Sequence, residues 1–225
     1  MIRAVDLFCG AGGATKGLQN AGFHVTGVDI KPQPRYCGDV FFQADALEFP
    51  LEGFDFVWAS PPCQHATMML NHGLTDMSKH PALIRPTRSR LIRSGVAYVI
   101  ENVVGAELLS PFLLCGAMFN LRVMRHRLFE ASFPVLTPPH PKHDPRGAIR
   151  KTGDGGYYYR VYGHETGKAQ WGEAMGIDWM RSPELAQSIP PAYSEWIARQ
   201  LLAQRQWHCK LAISTPHPSS KNASP

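Results

Sequence analysis

The sequence predicts an α/β fold, a doubly wound and mostly parallel sheet with a small loop-rich inserted subdomain. Four short apolar runs in the first hundred residues alternate with helical or turn-like stretches. Such runs are typical of parallel strands that helices cover on both faces, and the alternation favours right-handed crossovers. Between about residues 131 and 183 the composition changes to prolines, glycines and a tyrosine run, which indicates loops with a short hairpin. The length of 225 residues suits one large domain.

The predicted elements follow in order along the chain. A helix is expected from about Ala14 to Ala21, with Gly22 as its stop, and Pro190-Pro191 opens a later helix. Apolar residues recur at helical spacing in that later helix, so it should pack back on the first domain. The candidate strands are Ala4 to Phe8, His24 to Val28, Phe54 to Ala59 and Ala97 to Ile100.

Charge and cysteine content limit the function classes. Lys and Arg number 23 against 18 Asp and Glu, which gives a net charge of +5 and a pI near 9.0. An acidic partner, nucleic acid above all, fits this balance, although a basic protein can lack such a partner. No apolar stretch reaches the roughly 20 residues of a membrane span, and the N-terminus reaches Asp6 too soon for a signal peptide. We therefore expect a cytoplasmic protein. The five cysteines are scattered without a CxxC pair, which disfavours disulfides and structural zinc.

A glycine-rich turn and two acids follow successive strands. The segment from Asp6 to Gly13 is a strand running into glycines and then a helix, whose free N–H groups suit a carboxylate or phosphate. Asp29 ends the next strand, where an acid can accept hydrogen bonds from ribose hydroxyls. A plain tight turn would explain the glycines alone, but together with Asp29 they favour an adenosine-containing cofactor. Asp45 would reach the same sheet edge and bind an adenine amino group, or act as the N-cap of a following helix.

Three further segments bring reactive side chains to strand ends. Ser60-Pro61-Pro62-Cys63-Gln64 places a thiol on a stiff turn, where prolines hold a nucleophile in place. A lone cysteine is otherwise usually structural. Glu101 ends an apolar strand, so its carboxyl is a candidate proton donor to a ring nitrogen or else a salt-bridged or capping acid. Arg125 and Arg127 alternate as on a strand face, either gripping an oxygen or forming a solvated basic edge.

In this order, the segments resemble the motifs of the DNA (cytosine-5) methyltransferases, in a short form of the phage or prophage type. The match runs from Asp6-to-Gly13 through Pro61-Pro62-Cys63-Gln64 to Glu101-Asn102-Val103 and the two arginines. The resemblance implies a Rossmann-like methyltransferase fold and S-adenosylmethionine as cofactor. It implies that Phe8 stacks on the adenine and that Asp29 and Asp45 hold ribose and adenine. The remaining implied cofactor contacts are Gly10, Ala11, Gly12, Ile30, Pro61 and Ser188.

The same resemblance implies a covalent mechanism on a base flipped out of duplex DNA. Cys63 would add to carbon 6 of cytosine, Glu101 would hydrogen-bond or protonate ring nitrogen 3, and Arg125 would hold the base oxygen. Arg127 is the further residue expected in the catalytic site. Carbon 5 then takes the methyl group, as in DNA methylation within restriction-modification. RNA is the alternative substrate, and a catalytically silent nucleic-acid-binding module is the other alternative, although the presence of both Cys63 and Glu101 argues against it. We further expect a monomer, with no metal ion and no membrane association.

The expected organisation is a catalytic and cofactor-binding domain over 1–130 and a small target-recognition insertion over 131–183. A C-terminal helix over 184–207 returns to the catalytic domain, and a loose tail covers 208–225. Two basic or aromatic stretches remain open in meaning. The cations between Met77 and Gly95 lack acids among them and suit either a phosphate-facing surface or a solvated helix face. Tyr157 to Tyr159 suit either base stacking or packing under a loop.

Overall fold

The computed structural model describes residues 1–62, 82–142, 149–151, 157–159, 161 and 170–214. Its main feature is a seven-stranded sheet with the order β3-β2-β1-β4-β5-β7-β6. The first five strands are mutually parallel, whereas β7 is antiparallel to both β5 and β6. The strands are β1 Arg3–Leu7, β2 His24–Asp29, β3 Val40–Gln43, β4 Phe56–Ala59, β5 Ala97–Asn102, β6 Phe112–Leu114 and β7 Arg127–Ala131. The predicted mostly parallel α/β sheet is confirmed.

Helices cover both faces of this sheet. The described helices are α1 Gly13–Asn20, α2 Ile84–Ser94, α3 Gln170–Met175, α4 Ser182–Gln187 and α5 Pro191–Ser214, with a 3₁₀ turn at Gly116–Phe119. On one face Leu18 and Ile197, from α1 and α5, share a core with Trp58. On the other face Leu91 of α2 packs in a second core with Ile100. The sheet is therefore doubly wound.

The close approach of α1 and α5 depends on small and polar residues. The Ser194 hydroxyl donates to the Ala14 carbonyl at 2.8 Å, and a Cβ atom on Gly17 would run into the Pro191 carbonyl. The helix predicted to open at Pro190-Pro191 thus packs back on the first domain as expected. It continues to Ser214, seven residues beyond the predicted end at 207, because neither Gly nor Pro interrupts the chain before Pro216.

The region after β7 contains more order than the sequence pattern indicates. Strands β8 Ile149–Lys151 and β9 Tyr157–Tyr159 form the expected antiparallel pair. The helix α3 is short, and its apolar residues Trp171 and Met175 enter a third core beside Val123. Tyr159 packs against that core and bonds through its backbone to Arg122 and Met124. For this tyrosine, packing under a loop is the arrangement found. Across the described residues, no helix combines the length and apolarity needed to cross a bilayer.

Candidate active site

The carboxyl ends of five parallel strands meet at one edge of the sheet. Leu7 pairs with Val28 on one side and with Ala59 on the other, and Ala59 pairs with Ile100. Asp29 in turn pairs with Gln43. This register brings the residues that follow each strand to the same edge, where open α/β folds bind ligands. The structure thus brings together at this edge Phe8, Asp29, Asp45, Pro61 and Glu101.

The turn after β1 has an unusual backbone. Phe8 adopts a positive φ of 61°, which is rare for a residue with a bulky side chain, and its ring is half-buried. Gly12 has a φ of 91°, and a Cβ atom there would approach the Cys37 sulfur to 2.8 Å. The Gly12 N–H donates to the Cys9 carbonyl at 3.0 Å, which closes the turn before α1 begins. Strained backbone at a strand end often marks a binding site, and this turn has that character.

The two predicted acids hold local backbone in different ways. Asp29 accepts from the Gly10 N–H at 3.0 Å and from the Lys31 N–H at 2.9 Å, so it fixes the glycine turn to the end of β2. Asp45 is exposed and accepts from the Leu47 N–H at 2.8 Å, which closes a turn over residues 46–48. The helix that the N-cap alternative requires does not follow Asp45, because the described residues 46–55 contain no helix. Ile30, the residue after Asp29, is 67% exposed at this edge.

Asp6 is a site residue that the sequence analysis did not single out. It is fully buried, and one of its oxygens accepts from the Thr15 hydroxyl at 2.6 Å. Its other oxygen, Oδ1, has no hydrogen-bond partner among the described residues. Burial raises the pKa of Asp6 to about 7, with the Thr15 hydrogen bonds opposing that shift. A buried carboxylate oxygen without a partner favours a cationic group, and S-adenosylmethionine carries an ammonium.

A segment from the C-terminal part of the chain closes over the glycine turn. The Trp179 indole donates to the Ala11 carbonyl at 2.8 Å, and Arg35 pairs with Glu184 of α4 at 2.8 Å. Ser188 lies against Gly13, where a Cβ atom would collide with its hydroxyl. Ala11 and Ser188, two of the cofactor contacts that the resemblance implies, therefore both lie at the glycine turn. An open cleft of about 750 Å³ adjoins this closure and is lined by Lys16, Glu173, Asp178 and Trp179, among others.

The loop after β4 is anchored to β5. The Asn102 side-chain amide donates to the Pro61 carbonyl at 2.9 Å, and this hydrogen bond is buried. The Ser60 N–H donates to the Leu7 carbonyl at 3.1 Å, and the Ser60 hydroxyl accepts from the Trp58 indole at 3.0 Å. The start of the Pro-Pro-Cys segment is thus held beside the end of β5. Cys63 itself lies outside the described residues, as do Gln64 and Lys79.

Glu101 is a buried acid paired with one of the two predicted arginines. Its Oε1 lies 3.1 Å from Nε of Arg127, which enters the same sheet edge because β7 runs antiparallel to β5. Burial raises the pKa of Glu101, while Arg127, a hydrogen bond to Ser60 and the charge of Arg125 act against the rise. A carboxyl in this environment takes up a proton more readily than an ordinary glutamate. It is suited to donate that proton to a bound base.

Arg125 occupies a different position from Arg127. Its side chain is only 4% exposed, and its guanidinium donates to the carbonyls of Val161 at 3.1 Å and Ala186 at 2.6 Å. It precedes β7, and its own carbonyl accepts from the Tyr193 hydroxyl at 2.7 Å. Arg125 thus joins three distant segments behind the sheet edge. Arg127 thus contacts Glu101 directly, whereas the guanidinium of Arg125 donates to backbone carbonyls.

The basic stretch before Gly95 is largely occupied by internal contacts. Arg88 pairs with the buried Glu130 at 2.7 Å, and Arg85 pairs on the surface with Glu107 at 2.9 Å. Arg90 donates to the backbone of the loop after β3. The sequence concealed these partners because the acids lie more than twenty residues further along the chain. For these three arginines, intramolecular pairing is the arrangement found.

Comparisons with known proteins support the fold. No family model and no curated protein matches the sequence. An E. coli prophage protein described as a candidate DNA modification methyltransferase superposes with a TM-score of 0.63 at 15% identity, covering 92% of this chain and 100% of that one. The S. pombe Dnmt2 methyltransferase gives 0.57 at 13% identity, covering 91% and 99%. A triple mutant of Spodoptera frugiperda DNMT2 gives 0.54 at 13% identity, covering 90% and 99%. The chain therefore has the same Rossmann-like fold as these methyltransferase structures.

Proposed function

We propose that this protein transfers a methyl group from S-adenosylmethionine to carbon 5 of cytosine in DNA. The observation that carries the proposal is the buried Glu101–Arg127 pair beside the anchored Pro61 loop. These groups lie at the same sheet edge as the strained glycine turn. An acid for the base and a binding edge for the methyl donor are thus adjacent, as transfer between two bound molecules requires.

The residues present fit the cofactor. The orphaned Oδ1 of Asp6 would accept from the ammonium, and the backbone of Gly10, Ala11 and Gly12 would border the methionine end. Phe8 and Ile30 offer apolar surface for the adenine, while Asp29 and Asp45 provide acceptors for ribose and adenine. The further contacts proposed for this region are Pro61 and Ser188. Bound S-adenosylmethionine supplies an electrophilic methyl group on a sulfonium.

The chain's own residues would activate the base. The Cys63 thiolate would form a bond to carbon 6. The electron pair of the carbon 5–carbon 6 double bond would shift through carbon 4 toward nitrogen 3, which Glu101 would protonate. Carbon 5 would become nucleophilic and form a bond to the methyl group while the methyl–sulfonium bond breaks, with its electron pair remaining on the leaving sulfur. Loss of the carbon 5 proton to a base would then restore the carbon 5–carbon 6 double bond and expel the Cys63 thiolate, and nitrogen 3 would return its proton to Glu101. Arg127 orients the Glu101 carboxyl through its 3.1 Å contact and offers its remaining N–H groups to the base.

The substrate base must leave the duplex for this chemistry. Carbon 6 is stacked between neighbouring base pairs in a helix. The nucleotide must therefore flip out before the thiolate attacks, and the flip costs roughly a few kcal/mol. The net charge of +5 favours association with a polyanion. Duplex DNA is the proposed partner, and RNA is the alternative that a side-by-side assay distinguishes.

The decisive test combines methyl transfer with a covalent trap. Purified protein should transfer labelled methyl to cytosine-containing duplex DNA, and a duplex containing 5-fluorocytosine should become cross-linked to the protein. Fluorine cannot leave as a proton does, so the adduct through Cys63 persists after methylation. Cys63→Ala should abolish both signals because the nucleophile is gone. Cys209→Ala, in the C-terminal helix, is the matched control and should retain both.

The outcomes separate the alternatives. Transfer to RNA in preference to DNA would reassign the substrate while retaining the chemistry. Cofactor binding without transfer to any nucleic acid would indicate a silent binding module. A Cys63→Ala protein as active as the parent would remove the proposed nucleophile.

A further inference from the structure

Three potential metal ligands meet beside the arginine segment, away from the glycine turn. They are Cys115, His126 and His140, and one ligand atom of each lies within 4.8 Å of the other two. Cys115 follows β6, His126 stands between the two arginines, and His140 comes from the segment after β7. Three separate parts of the chain thus converge on one point. No CxxC pair signals this cluster in the sequence.

The two histidines already have the spacing of ligands on a common ion. Their Nε2 atoms are 3.1 Å apart, and their rings are stacked with centroids at 5.3 Å. Zinc–nitrogen bonds of 2.0–2.1 Å at a tetrahedral angle would separate two imidazole nitrogens by about 3.3 Å. The two Nε2 atoms face each other almost end to end, so each ring must rotate before both nitrogens point at one cation.

The Cys115 thiol is buried at the start of the 3₁₀ turn. Burial raises the pKa of this thiol, and backbone hydrogen bonds from Ala117, Arg125 and Gly116 act against the rise. The thiol is buried, so a charged sulfur there needs both these donors and a neighbouring cation. Hydrogen bonds of this kind orient a metal ligand and stabilise its anionic form. His140 is exposed, which gives an ion a route to the site from solvent.

We propose that Cys115, His126 and His140 bind a Zn²⁺ ion. A thiolate with two imidazoles is a soft to borderline donor set, which suits zinc better than calcium or magnesium. Binding forms one zinc–sulfur and two zinc–nitrogen bonds, and the thiol proton passes to solvent; water fills the fourth position. The ion would fix the segment after β7 to the end of β6. It would also restrain the backbone on either side of His126, where Arg125 and Arg127 stand.

Metal analysis of the intact chain tests this site without any activity measurement. Protein purified without chelators should contain about one zinc ion per chain, as a single site requires. Replacing zinc with Co²⁺ should give the intense ligand-field bands of four-coordinate cobalt and a thiolate-to-cobalt charge-transfer band. Removing the ion with a chelator should lower Tm, and zinc should restore it.

Substitutions at the exposed ligand keep the test independent of folding. Loss of a hydrogen-bond partner of a metal ligand typically weakens metal binding about 10- to 100-fold. His140→Gln removes a ligand itself, so it should weaken zinc binding by more than that. It should also remove the effect of chelator on Tm. Cys115→Ser should abolish the charge-transfer band, whereas the controls Cys37→Ser and His24→Gln should leave zinc content and spectrum unchanged.

Three results would overturn the assignment. The first is a parent protein that binds no zinc even when the ion is added in excess, which would leave the histidine pair as a simple hydrogen bond beside a core cysteine. The second is zinc retained with equal affinity by His140→Gln, and the third is a cobalt complex without the thiolate band; in both the ion would be bound by other residues.

Discussion

The two halves of the candidate site are built differently. On the cofactor side, Asp29 holds Gly10 and Thr15 holds Asp6 across separations of 19 and 9 residues. On the base side, Asn102 holds Pro61 across 41 residues, and Arg125 reaches Ala186 across 61. The cofactor side also has long-range contacts, from Trp179 to Ala11 across 168 residues and from Arg35 to Glu184 across 149, so both sides need the folded domain. The difference is that the two acids of the cofactor side also order the glycine turn and its strand locally.

The largest effect should come from the buried acid of the base side. Glu101→Gln retains the shape and a hydrogen-bonding group but cannot supply a proton to ring nitrogen 3. We expect the rate of methyl transfer to fall by about 10²- to 10⁴-fold, the range for losing a general acid. Single-turnover transfer of labelled methyl measures this rate, and direct titration of S-adenosylmethionine should give an unchanged Kd.

Glu107→Gln is the matched control, because Glu107 is an exposed acid paired with Arg85 on the surface. It should leave both rate and affinity near the parent values. If Glu101→Gln weakened cofactor binding as much as it slowed transfer, the separation of the two halves would be wrong.

The second effect distinguishes the two arginines. Arg125→Met deprives the buried carbonyls of Val161 and Ala186 of a charged donor, so the free energy of unfolding should fall by about 2–3 kcal/mol. Urea unfolding followed by far-UV circular dichroism measures this change. The control is Arg127→Met. Its partner Glu101 can take up a proton once the cation is gone, so this substitution should lower the free energy of unfolding by less.

For Arg127→Met we expect the principal change in the pH profile. Arg127 lowers the pKa of Glu101 against the effect of burial, so removing the cation lets that pKa rise. Because the acid acts in its protonated form, the alkaline fall in activity should move to higher pH. Equal destabilisation by the two substitutions, with no shift in the profile, would contradict the distinct roles.

A pH-dependent cofactor affinity would sharpen the description of the cofactor side. The pKa of Asp6 is raised to about 7 in the free protein, and a cofactor ammonium would favour the charged carboxylate. Protons therefore compete with the cofactor, and affinity is lost as pH falls through 7. Linkage predicts about a tenfold loss between pH 8 and pH 6. Titration calorimetry of parent and Asp6→Asn proteins measures it, and their affinity ratio cancels the titration of the cofactor itself.

Asp39→Asn serves as the control for this measurement, because Asp39 is an acid of the β2–β3 connection that bonds to Val25 and Gln19. It should keep the pH dependence of the parent. A parent protein whose affinity did not change between these pH values would place the ammonium elsewhere.

What the sequence could predict follows the same division. Four of the five parallel strands and the acid at Asp29 follow from apolar runs that end in polar residues, a local signal. The fifth, β3, was not among the predicted strands. Asp6 was missed because, in the sequence, an acid within an apolar run looks like the polar residue at which a strand ends. Only the fold shows that Asp6 is buried inside β1. The partners of Arg125 lie too far along the chain for spacing to reveal them. The Cys115 cluster is hidden for the same reason, since three segments contribute one ligand each.

The smallest expected effect compares the two acids of the cofactor side. Asp45 is exposed and caps one turn, so Asp45→Ala should remove about 1 kcal/mol of local support and reduce cofactor affinity about fivefold. Asp29→Ala should reduce affinity further, because Asp29 also fixes the Gly10 N–H of the strained turn. Both should leave the rate at saturating cofactor unchanged, as equilibrium and single-turnover measurements would establish. A larger loss for Asp45 would mean that adenine recognition, rather than the ordering of the glycine turn, dominates binding at this edge.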